Sequence, residues 1–377
     1  MIYFDNSATS FYKPKEVINA VVNTVKFVSA NPGRGGHKLA LSASKIVYSV
    51  RKRLSDYLGF DRPERVIFTP GCTYALNQAI FGLNLKNKHV VTTPYEHNSV
   101  LRPLFALKNN GLISLTIAKP NALGQITAES ITRCLTDKTA LVVVNHVSNV
   151  TGISADVAEI GKACRSLGAL LLVDGAQSVG HIKINLLKDC IDMLAVAPHK
   201  GLHSVSGVGA LIVGERVRLH PIIYGGTGTS SFSITQPTDY PEGFEAGTLN
   251  LPAIAGLGRA IDAAKADERI RQKKISLLVN KITGGLENFE KVRLFSPKSS
   301  PAGIICFAVR GFNSEEVAQI LSDEYGVCVR SGLHCAPLAH KMLGTENCGL
   351  VRASLGFDNT DDEANVFLEA IGKICGQ

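Results

Sequence analysis

Seven short runs of apolar residues recur between residues 65 and 214, and most of them are separated by segments of helix or loop length. The runs are RVIFT, HVVTT, ISLTIA, ALVVVN, ALLLVD, DMLAVA and GALIVG. Runs that are apolar throughout indicate strands covered on both faces, as in a parallel sheet with crossover helices. We therefore expect an α/β protein whose large domain holds a mostly parallel sheet flanked by helices.

Two helices are predicted before the first of these strands. The first starts near Pro14 and places on one face, at period 3.6, the residues Val17, Ile18, Val21, Val22, Val25 and Val28. The second runs to about Leu58 and ends at Gly59. Its inward-facing residues are Ile46, Val47, Val50 and Leu54. The first helix therefore presents one apolar face, and the second directs its apolar residues inward.

The pattern changes after about residue 256, where long helices surround fewer strands, chiefly GIICFAV and YGVCVR. Such a change is typical of a second, smaller α+β domain. We predict a large domain over residues 14–255, and a small domain formed by residues 1–13 and 256–377.

Charge and cysteine content bear on location and partners. The net charge is +8, but the basic residues are scattered, and the densest run, RIRQKK at 269–274, fits a solvated helix face better than a nucleic-acid site. Nine cysteines, an odd number without a C-x-x-C pair, indicate a reducing compartment. The N-terminus lacks the features of a signal peptide, and no apolar run approaches the roughly 18 residues of a membrane span. We expect a cytoplasmic protein that binds neither nucleic acid nor membranes.

Polar side chains follow the predicted strands, where ligands of α/β sheets bind. Thr73, after the turn PGC, can begin a helix that cradles a phosphate, although a glycine turn with a threonine cap explains it equally well. His97, Asn149, Asp174 and Gln177 stand after three further strands. An acid at Asp174 can pair with a protonated ring nitrogen, and capping of the next turn is the structural alternative.

Lys200 follows the strand DMLAV and precedes a glycine-rich stretch. A lysine amine attacks carbonyl groups when its surroundings favour the neutral form, whereas a surface lysine would have no such role. His199 and His203 have the spacing of a zinc-binding helix, but no acid occupies the general-base position between them. We predict no metal site.

The combination resembles the cysteine desulfurases of the class V aminotransferase group, which are pyridoxal phosphate enzymes. The likeness covers nearly the whole chain through the ordered motifs YFDNSAT, RGGH, GCTYALN, EHNS, SNVTG, DGAQSVG, PHKG, FEAGTLN, RSGLHCAP and VRASLGFDNT. It implies the architecture called fold type I and a homodimer with active sites at the subunit boundary.

The resemblance also implies a role for each site residue. It gives Lys200 the covalent bond to pyridoxal 5'-phosphate, and Asp174 and Gln177 the contacts to the pyridine nitrogen and the phenolic oxygen. His97 would stack on the ring. The resemblance makes His97, Lys200 and Cys335 the catalytic residues. The phosphate would be held by Cys72, Thr73, His199 and, from the neighbouring subunit, Thr248. The substrate would be bound by Asn149, Arg330 and Arg352.

Cys335 lies in the short loop CVRSGLHCAPLAH. From the local sequence alone, it could equally be a small apolar residue without a chemical role. By the same resemblance its thiolate attacks the sulfur of L-cysteine, which leaves a persulfide on the enzyme and alanine as product. His334 and Arg330 are candidates for raising the thiolate fraction. The compact loop is similar to that of the second type of cysteine desulfurase. A sulfur-acceptor protein is a possible partner.

Two positions depart from the family pattern and three other functions stay open. Ala197 replaces a serine that many relatives use near the phosphate, and Leu333 stands where relatives often have histidine. The alternatives are a selenocysteine lyase with the same residues, an aminotransferase or other lyase of the same fold that needs no thiol at Cys335, and a non-catalytic binding protein.

Overall fold

A computed structural model describes residues 1–33 and 35–376, so that Arg34 of the RGGH motif lies outside the described residues. The strands are β1 (Ile2–Tyr3), β2 (Val66–Thr69), β3 (Lys88–Thr92), β4 (Ile113–Ile117), β5 (Thr139–Asn145), β6 (Leu170–Asp174), β7 (Met193–Val196), β8 (Gly209–Val213), β9 (Val292–Leu294), β10 (Ile304–Val309), β11 (Val327–Cys328) and β12 (Val351–Ser354). The helices are α1 (Lys15–Phe27), α2 (Lys38–Tyr57), α3 (Cys72–Gly82), α4 (Asn98–Asn109), α5 (Ala128–Thr132), α6 (Val157–Ser166), α7 (Leu251–Leu286), α8 (Ser314–Tyr325), α9 (Pro337–Leu343) and α10 (Asp361–Gly376).

The seven apolar runs form one sheet in the order β2-β8-β7-β6-β5-β3-β4. Only β8 runs antiparallel to its neighbours β2 and β7 within this sheet, and the other pairs are parallel. Successive residues of β5 enter different cores: Val142 and Val144 pack on one face, Leu141 and Val143 on the other. The α/β prediction is confirmed, because strands apolar on both faces need helices on both faces.

A second core belongs to the smaller domain. The antiparallel sheet β12-β10-β9 and the parallel pair β1 and β11 surround it together with α8 and α10. Phe4, from the N-terminal segment, is fully buried in this core. The N-terminal residues therefore pack with the C-terminal third of the chain, where they run beside β12.

The long helix α7 connects the two cores. Its first half buries Leu257 and Ile261 in the large core, and its second half buries Val279 and Ile282 in the small core. The boundary predicted between residues 255 and 256 falls inside this helix. A domain division at that point remains a prediction.

The apolar face predicted for α1 is only partly buried. Val17 is fully buried against α7, but Ile18, Val22 and Val25 are 48%, 41% and 55% exposed, and Phe27 is 69% exposed. The helix forms as predicted, but three of the six residues on its apolar face are exposed. In α2, by contrast, Val47, Val50 and Leu54 are buried and Gly59, at φ 64°, ends the helix as predicted.

Within residues 1–33 and 35–376, no helix is long and apolar enough to cross a membrane. The same residues contain no group of three or more His, Cys, Asp or Glu side chains arranged to hold a metal ion.

Candidate active site

A cavity of about 300 Å³ lies at the carboxyl ends of the central parallel strands. Of the twelve predicted site residues, it is lined by ten: Cys72, Thr73, His97, Asn149, Asp174, Gln177, His199, Lys200, Arg330 and Arg352. They come from both sheets, since Arg352 lies in β12 and Arg330 forms an antiparallel bridge with it. The cavity therefore lies where the central sheet meets the C-terminal part of the chain.

Lys200 lies in a tight turn after β7. The backbone N–H of His203 donates to the carbonyl of Lys200 over 2.9 Å, and His203 adopts a left-handed φ of 57°. The turn packs closely on the chain at Gly180, where a Cβ would lie 2.4 Å from the backbone of Gly201. Burial lowers the pKa of Lys200, the Asp174 carboxylate offsets part of this effect, and Arg352 and Arg330 add to it. The surroundings thus favour the neutral amine that nucleophilic chemistry requires.

Asp174 is the last residue of β6 and is buried. Its Oδ1 accepts the backbone N–H of Ala176 over 2.9 Å and the Cys72 thiol over 3.7 Å. Burial, and next the charge of Asp174, raise the pKa of Cys72 well above its ordinary range, so that this residue is a neutral thiol and a donor. No described residue bonds Oδ2 of Asp174, which is left for a ligand.

The start of α3 forms one wall of the cavity. Gly71, Cys72 and Thr73 all line it, and Thr73 Oγ1 lies 2.8 Å from the hydroxyl of Ser99. β8 passes directly behind this turn, because a Cβ on Gly209 would lie 2.5 Å from the backbone of Gly71. The amides of a first helical turn have no intrahelical acceptor, which makes the wall suited to an anion.

His97 caps α4 beside this wall, and its Nδ1 lies 2.9 Å from the same Ser99 hydroxyl that Thr73 contacts. Its Nδ1 accepts the backbone N–H of Ser99 over 3.0 Å. A neutral ring in this position therefore carries its proton on Nε2. Burial lowers the pKa of His97, and the charge of Asp174 partly offsets the decrease.

Arg352 is the most enclosed charge in the cavity wall, with a side chain 2% exposed. Its Nη1 donates to the carbonyl of Asn149 over 3.0 Å and its Nη2 to Asp5 over 2.9 Å. Within the described residues, Nε of Arg352 and Oδ1 of Asn149 have no hydrogen-bond partner although both are buried. A buried guanidinium with a free donor is suited to a carboxylate.

The N-terminal segment contacts the cavity next to the turn that contains Lys200. Ser10 donates to the carbonyl of His199 through both its backbone N–H and its hydroxyl, each over 2.9 Å. Gln177 donates to the carbonyl of Ser7 over 3.1 Å. Burial, followed by the charges of Lys200 and Lys13, lowers the pKa of His199 to about 4, so that its ring is neutral at physiological pH.

Cys335 is exposed and its side chain does not line the cavity, but two hydrogen bonds attach its loop to the cavity wall. The backbone N–H of Asn98 donates to the carbonyl of Cys335, and Nδ2 of Asn149 donates to the carbonyl of His334, each over 2.7 Å. His334 and Cys335 both have left-handed backbones, at φ 50° and 56°. Such strain in consecutive non-glycine residues is typical of functional loops.

His334 is buried, and its surroundings disfavour a positive charge. Burial, together with the charge of Arg352, lowers the pKa of His334 to about 2, and its ring lies 5.6 Å from that of His340. His334 is therefore neutral. The suggestion that His334 raises the thiolate fraction of Cys335 remains a prediction.

Thr248 lies outside the cavity. It is exposed and lines a separate surface depression together with Phe68, Tyr74 and Gly207. The role suggested for Thr248, at the site of a neighbouring subunit, remains a prediction.

Several residues of the site received no role from the sequence. Asp5 pairs with Arg352, while Ser7, Ala8, Ser99 and Asn145 line the cavity. Asp5, Ser7 and Ala8 belong to the motif YFDNSAT. The motif could therefore have indicated that these residues lie at the site. The buried Glu96, next to His97, accepts hydrogen bonds from Thr93 and from the backbone of Asn145.

The residues of the cavity fit pyridoxal phosphate. The lysine amine suits its aldehyde, the free oxygen of Asp174 suits its ring nitrogen, and the first turn of α3 suits its phosphate. Asp174 ends β6 and Lys200 follows β7, and these adjacent strands pair in parallel. Fold and site together define a pyridoxal phosphate enzyme of fold type I.

Comparison with known proteins gives the family. Residues 2–367 match the model of the family described as aminotransferase class-V. A probable cysteine desulfurase of Methanothermobacter thermautotrophicus is 31% identical over 100% of this chain and 95% of its own length. One of Pyrococcus abyssi is 34% identical over 99% and 94% of the two chains. A solved cysteine desulfurase from Thermococcus onnurineus NA1 superimposes with a TM-score of 0.93 at 33% identity, over 100% and 94% of the two chains. The chain belongs to the class-V aminotransferase family.

Proposed function

We propose that this protein is a cysteine desulfurase, which converts L-cysteine to L-alanine and takes the sulfur as a persulfide on Cys335. The observation that carries the proposal is the juxtaposition of three groups around one cavity: the amine of Lys200, the guanidinium of Arg352 and the loop of Cys335. The relatives at 31% and 34% identity bear the name cysteine desulfurase over almost their full length.

Recognition of the amino acid uses the buried end of the cavity. Arg352, whose Nε is free within the described residues, receives the α-carboxylate, and Arg330 adds a second positive charge. Asn149 stands beside them and holds the loop carbonyl of His334 with its amide. The α-carbon is thereby directed towards Lys200.

Proton transfer belongs to Lys200. Bound pyridoxal phosphate supplies an electron sink for the electrons of the Cα–H bond. Because burial favours the neutral amine, Lys200 is able to take the proton from Cα and return one later. Asp174 holds a negative charge at the position where a ring nitrogen must stay protonated, and the ring of His97 also lines the cavity.

Sulfur transfer belongs to Cys335. Its thiolate forms an S–S bond with the substrate sulfur as the Cβ–S bond breaks, and the electron pair of that bond remains on the carbon side. Protonation at Cβ and Cα then gives alanine. The exposed position of Cys335 allows the terminal sulfur to be passed to an acceptor outside the cavity.

Assembly and location complete the proposal. We propose a homodimer in which Thr248 reaches the phosphate of the neighbouring subunit, a role supported by its place outside the cavity of its own chain. The exposed apolar residues of α1 support the same assembly. We further propose a cytoplasmic location, since the nine cysteines are free thiols, and a protein as sulfur acceptor.

A selenocysteine lyase is the second candidate, because the same residues would serve a substrate with selenium in place of sulfur. The experiment that tests both offers purified holoenzyme L-cysteine, selenocysteine and cysteine sulfinate, and quantifies alanine and the released chalcogen. Alanine and persulfide from L-cysteine support the proposal. Alanine from selenocysteine alone supports the lyase, and a keto acid in place of alanine contradicts both.

A further inference from the structure

Asp5 forms an ion pair with Arg352, the residue to which we assign the substrate carboxylate. Nη2 of Arg352 donates to Oδ1 of Asp5 over 2.9 Å, and the side chain of Asp5 is 20% exposed. Asp5 does not line the cavity and has no task in the proposed reaction. The pair nevertheless places a protein carboxylate on the guanidinium that has to receive the carboxylate of the substrate.

The position of Arg352 does not depend on Asp5 alone. Nη1 donates to the carbonyl of Asn149 over 3.0 Å, and the backbone of Arg352 exchanges two hydrogen bonds with Arg330, of 2.7 and 3.1 Å. The side chain is also enclosed by the protein. Removal of the Asp5 charge therefore leaves the guanidinium in place and changes chiefly the electrostatic field around it.

The charges around the cavity indicate the direction of that change. Arg330 and Arg352 are cationic groups that line it, whereas Asp174 is the acidic side chain among its lining residues. Asp5 adds a second negative charge directly behind Arg352. Two carboxylates on one guanidinium repel each other, and screening by water is weak at an enclosed site.

We propose that Asp5 is a specificity-determining residue of the carboxylate site, which weakens the binding of any carboxylate at Arg352. A ligand held only through its carboxylate then binds poorly. An amino-acid substrate is retained because it has a second attachment point, through its amino group, near Lys200. The inference rests on the proposed function, since it takes Arg352 as the carboxylate site.

The test measures binding to the holoenzyme and not its activity. Propionate, which has a carboxylate but no amino group, is titrated by calorimetry, and L-alanine is titrated by the change in the visible spectrum. Asp5→Asn should bind both ligands about tenfold more tightly, because one repulsive charge is gone. Asp5→Glu keeps the charge and should stay close to the parent protein, which also covers the case in which Asp5→Asn does not fold. Asp361→Asn, which removes an exposed acid that pairs with Lys281, is the matched control and should change neither affinity.

The outcomes separate the two proposals when Arg352→Lys is measured in parallel. This variant keeps the cation but loses the forked donor, and should bind propionate more weakly. If it does so while Asp5→Asn binds propionate no more tightly than the parent protein, the role of Asp5 is overturned and the proposed function stands. If Arg352→Lys binds propionate as well as the parent protein, Arg352 is not the carboxylate site, and both proposals are contradicted. Tighter binding by Asp5→Glu would also overturn the role of Asp5.

Discussion

The side-chain amide of Asn149 donates a hydrogen bond of 2.7 Å to the carbonyl of His334, while the backbone carbonyl of the same residue accepts from Arg352 over 3.0 Å. One residue thus contacts both the proposed carboxylate site and the loop of the proposed nucleophile. The position of Cys335 therefore depends on the same wall to which we assign substrate binding.

Asn149→Ala should release this loop without removing the thiol. We expect formation of alanine to slow about tenfold or more, because the sulfur and the thiolate lose their alignment, and alkylation of Cys335 by iodoacetamide to become faster. Asn98→Ala is the matched control, since Asn98 holds the loop through its backbone N–H, which alanine retains. Equal effects of the two substitutions would contradict this role of Asn149.

Lys200→Ala should abolish the visible absorption band and the formation of alanine, since no other amine lines the described part of the cavity. Borohydride reduction of the native holoenzyme should fix the cofactor on a single peptide, which mass spectrometry would identify as the one containing Lys200. Lys188→Ala, at an exposed position, should leave both properties unchanged. A cofactor found on any other lysine would contradict the assignment.

Cys335→Ser should stay yellow and change its spectrum when cysteine is added, because Lys200 and Arg352 are intact. It should lose formation of alanine and sulfide by about a thousandfold or more, since a neutral hydroxyl is a far weaker nucleophile than a thiolate. Cys348→Ser is the matched control, because the side chain of Cys348 is also exposed. Full activity of Cys335→Ser would show that the nucleophile lies elsewhere.

Thr248→Ala and Lys200→Ala subunits should complement each other in mixed dimers. Each heterodimer would contain one composite site with both native residues, so that a mixture regains part of the parent activity while each homodimer has little. Subunits with different affinity tags allow the heterodimer to be isolated. An inactive heterodimer of this kind would contradict a shared site.

Glu96→Gln should change how stability depends on pH. Burial raises the pKa of Glu96 to about 8, and the hydrogen bonds from Thr93 and Asn145 only partly offset the increase. In the unfolded chain the carboxyl titrates near its ordinary value of about 4.3. The folded state therefore keeps a proton that the unfolded chain loses between these two values, and the free energy of unfolding falls by up to about 1.4 kcal/mol per pH unit as pH rises to about 8.

The measurement is denaturant unfolding of the parent protein and of Glu96→Gln at several pH values from 5 to 8. The free energy of unfolding of the parent protein should fall relative to that of Glu96→Gln as pH rises, because glutamine does not titrate. A difference that is constant with pH would mean that Glu96 has no raised pKa.

The sheet and most of the cavity were predictable from the sequence for a physical reason. Strands covered on both faces are apolar throughout, and a parallel sheet brings the residues that follow them to one edge. Asp174 and Lys200 were found by this rule alone. Arg352 needed the resemblance to a family, because it lies inside a strand of the other domain and nothing in its local sequence marks it.

Other features depend on tertiary contacts that no local pattern records. Asp5 and Arg352 are separated by 347 positions in the chain, and only the folded structure brings them together. The charge state of His334 is likewise a result of burial, which a loop sequence does not reveal. The apolar side of α1 followed the correct helical period, but the period does not tell whether the face meets the same chain or another one.

The continuous helix α7 limits how this protein can be dissected in the laboratory. At 1.5 Å per residue, its 36 residues extend about 54 Å, and they belong to both hydrophobic cores. A fragment ending at residue 255 would keep five residues of the helix and leave the surface beneath the rest open to solvent. Separate expression of the two halves, or a protease site inserted at that point, should therefore yield aggregating fragments, whereas insertions are better placed in exposed loops.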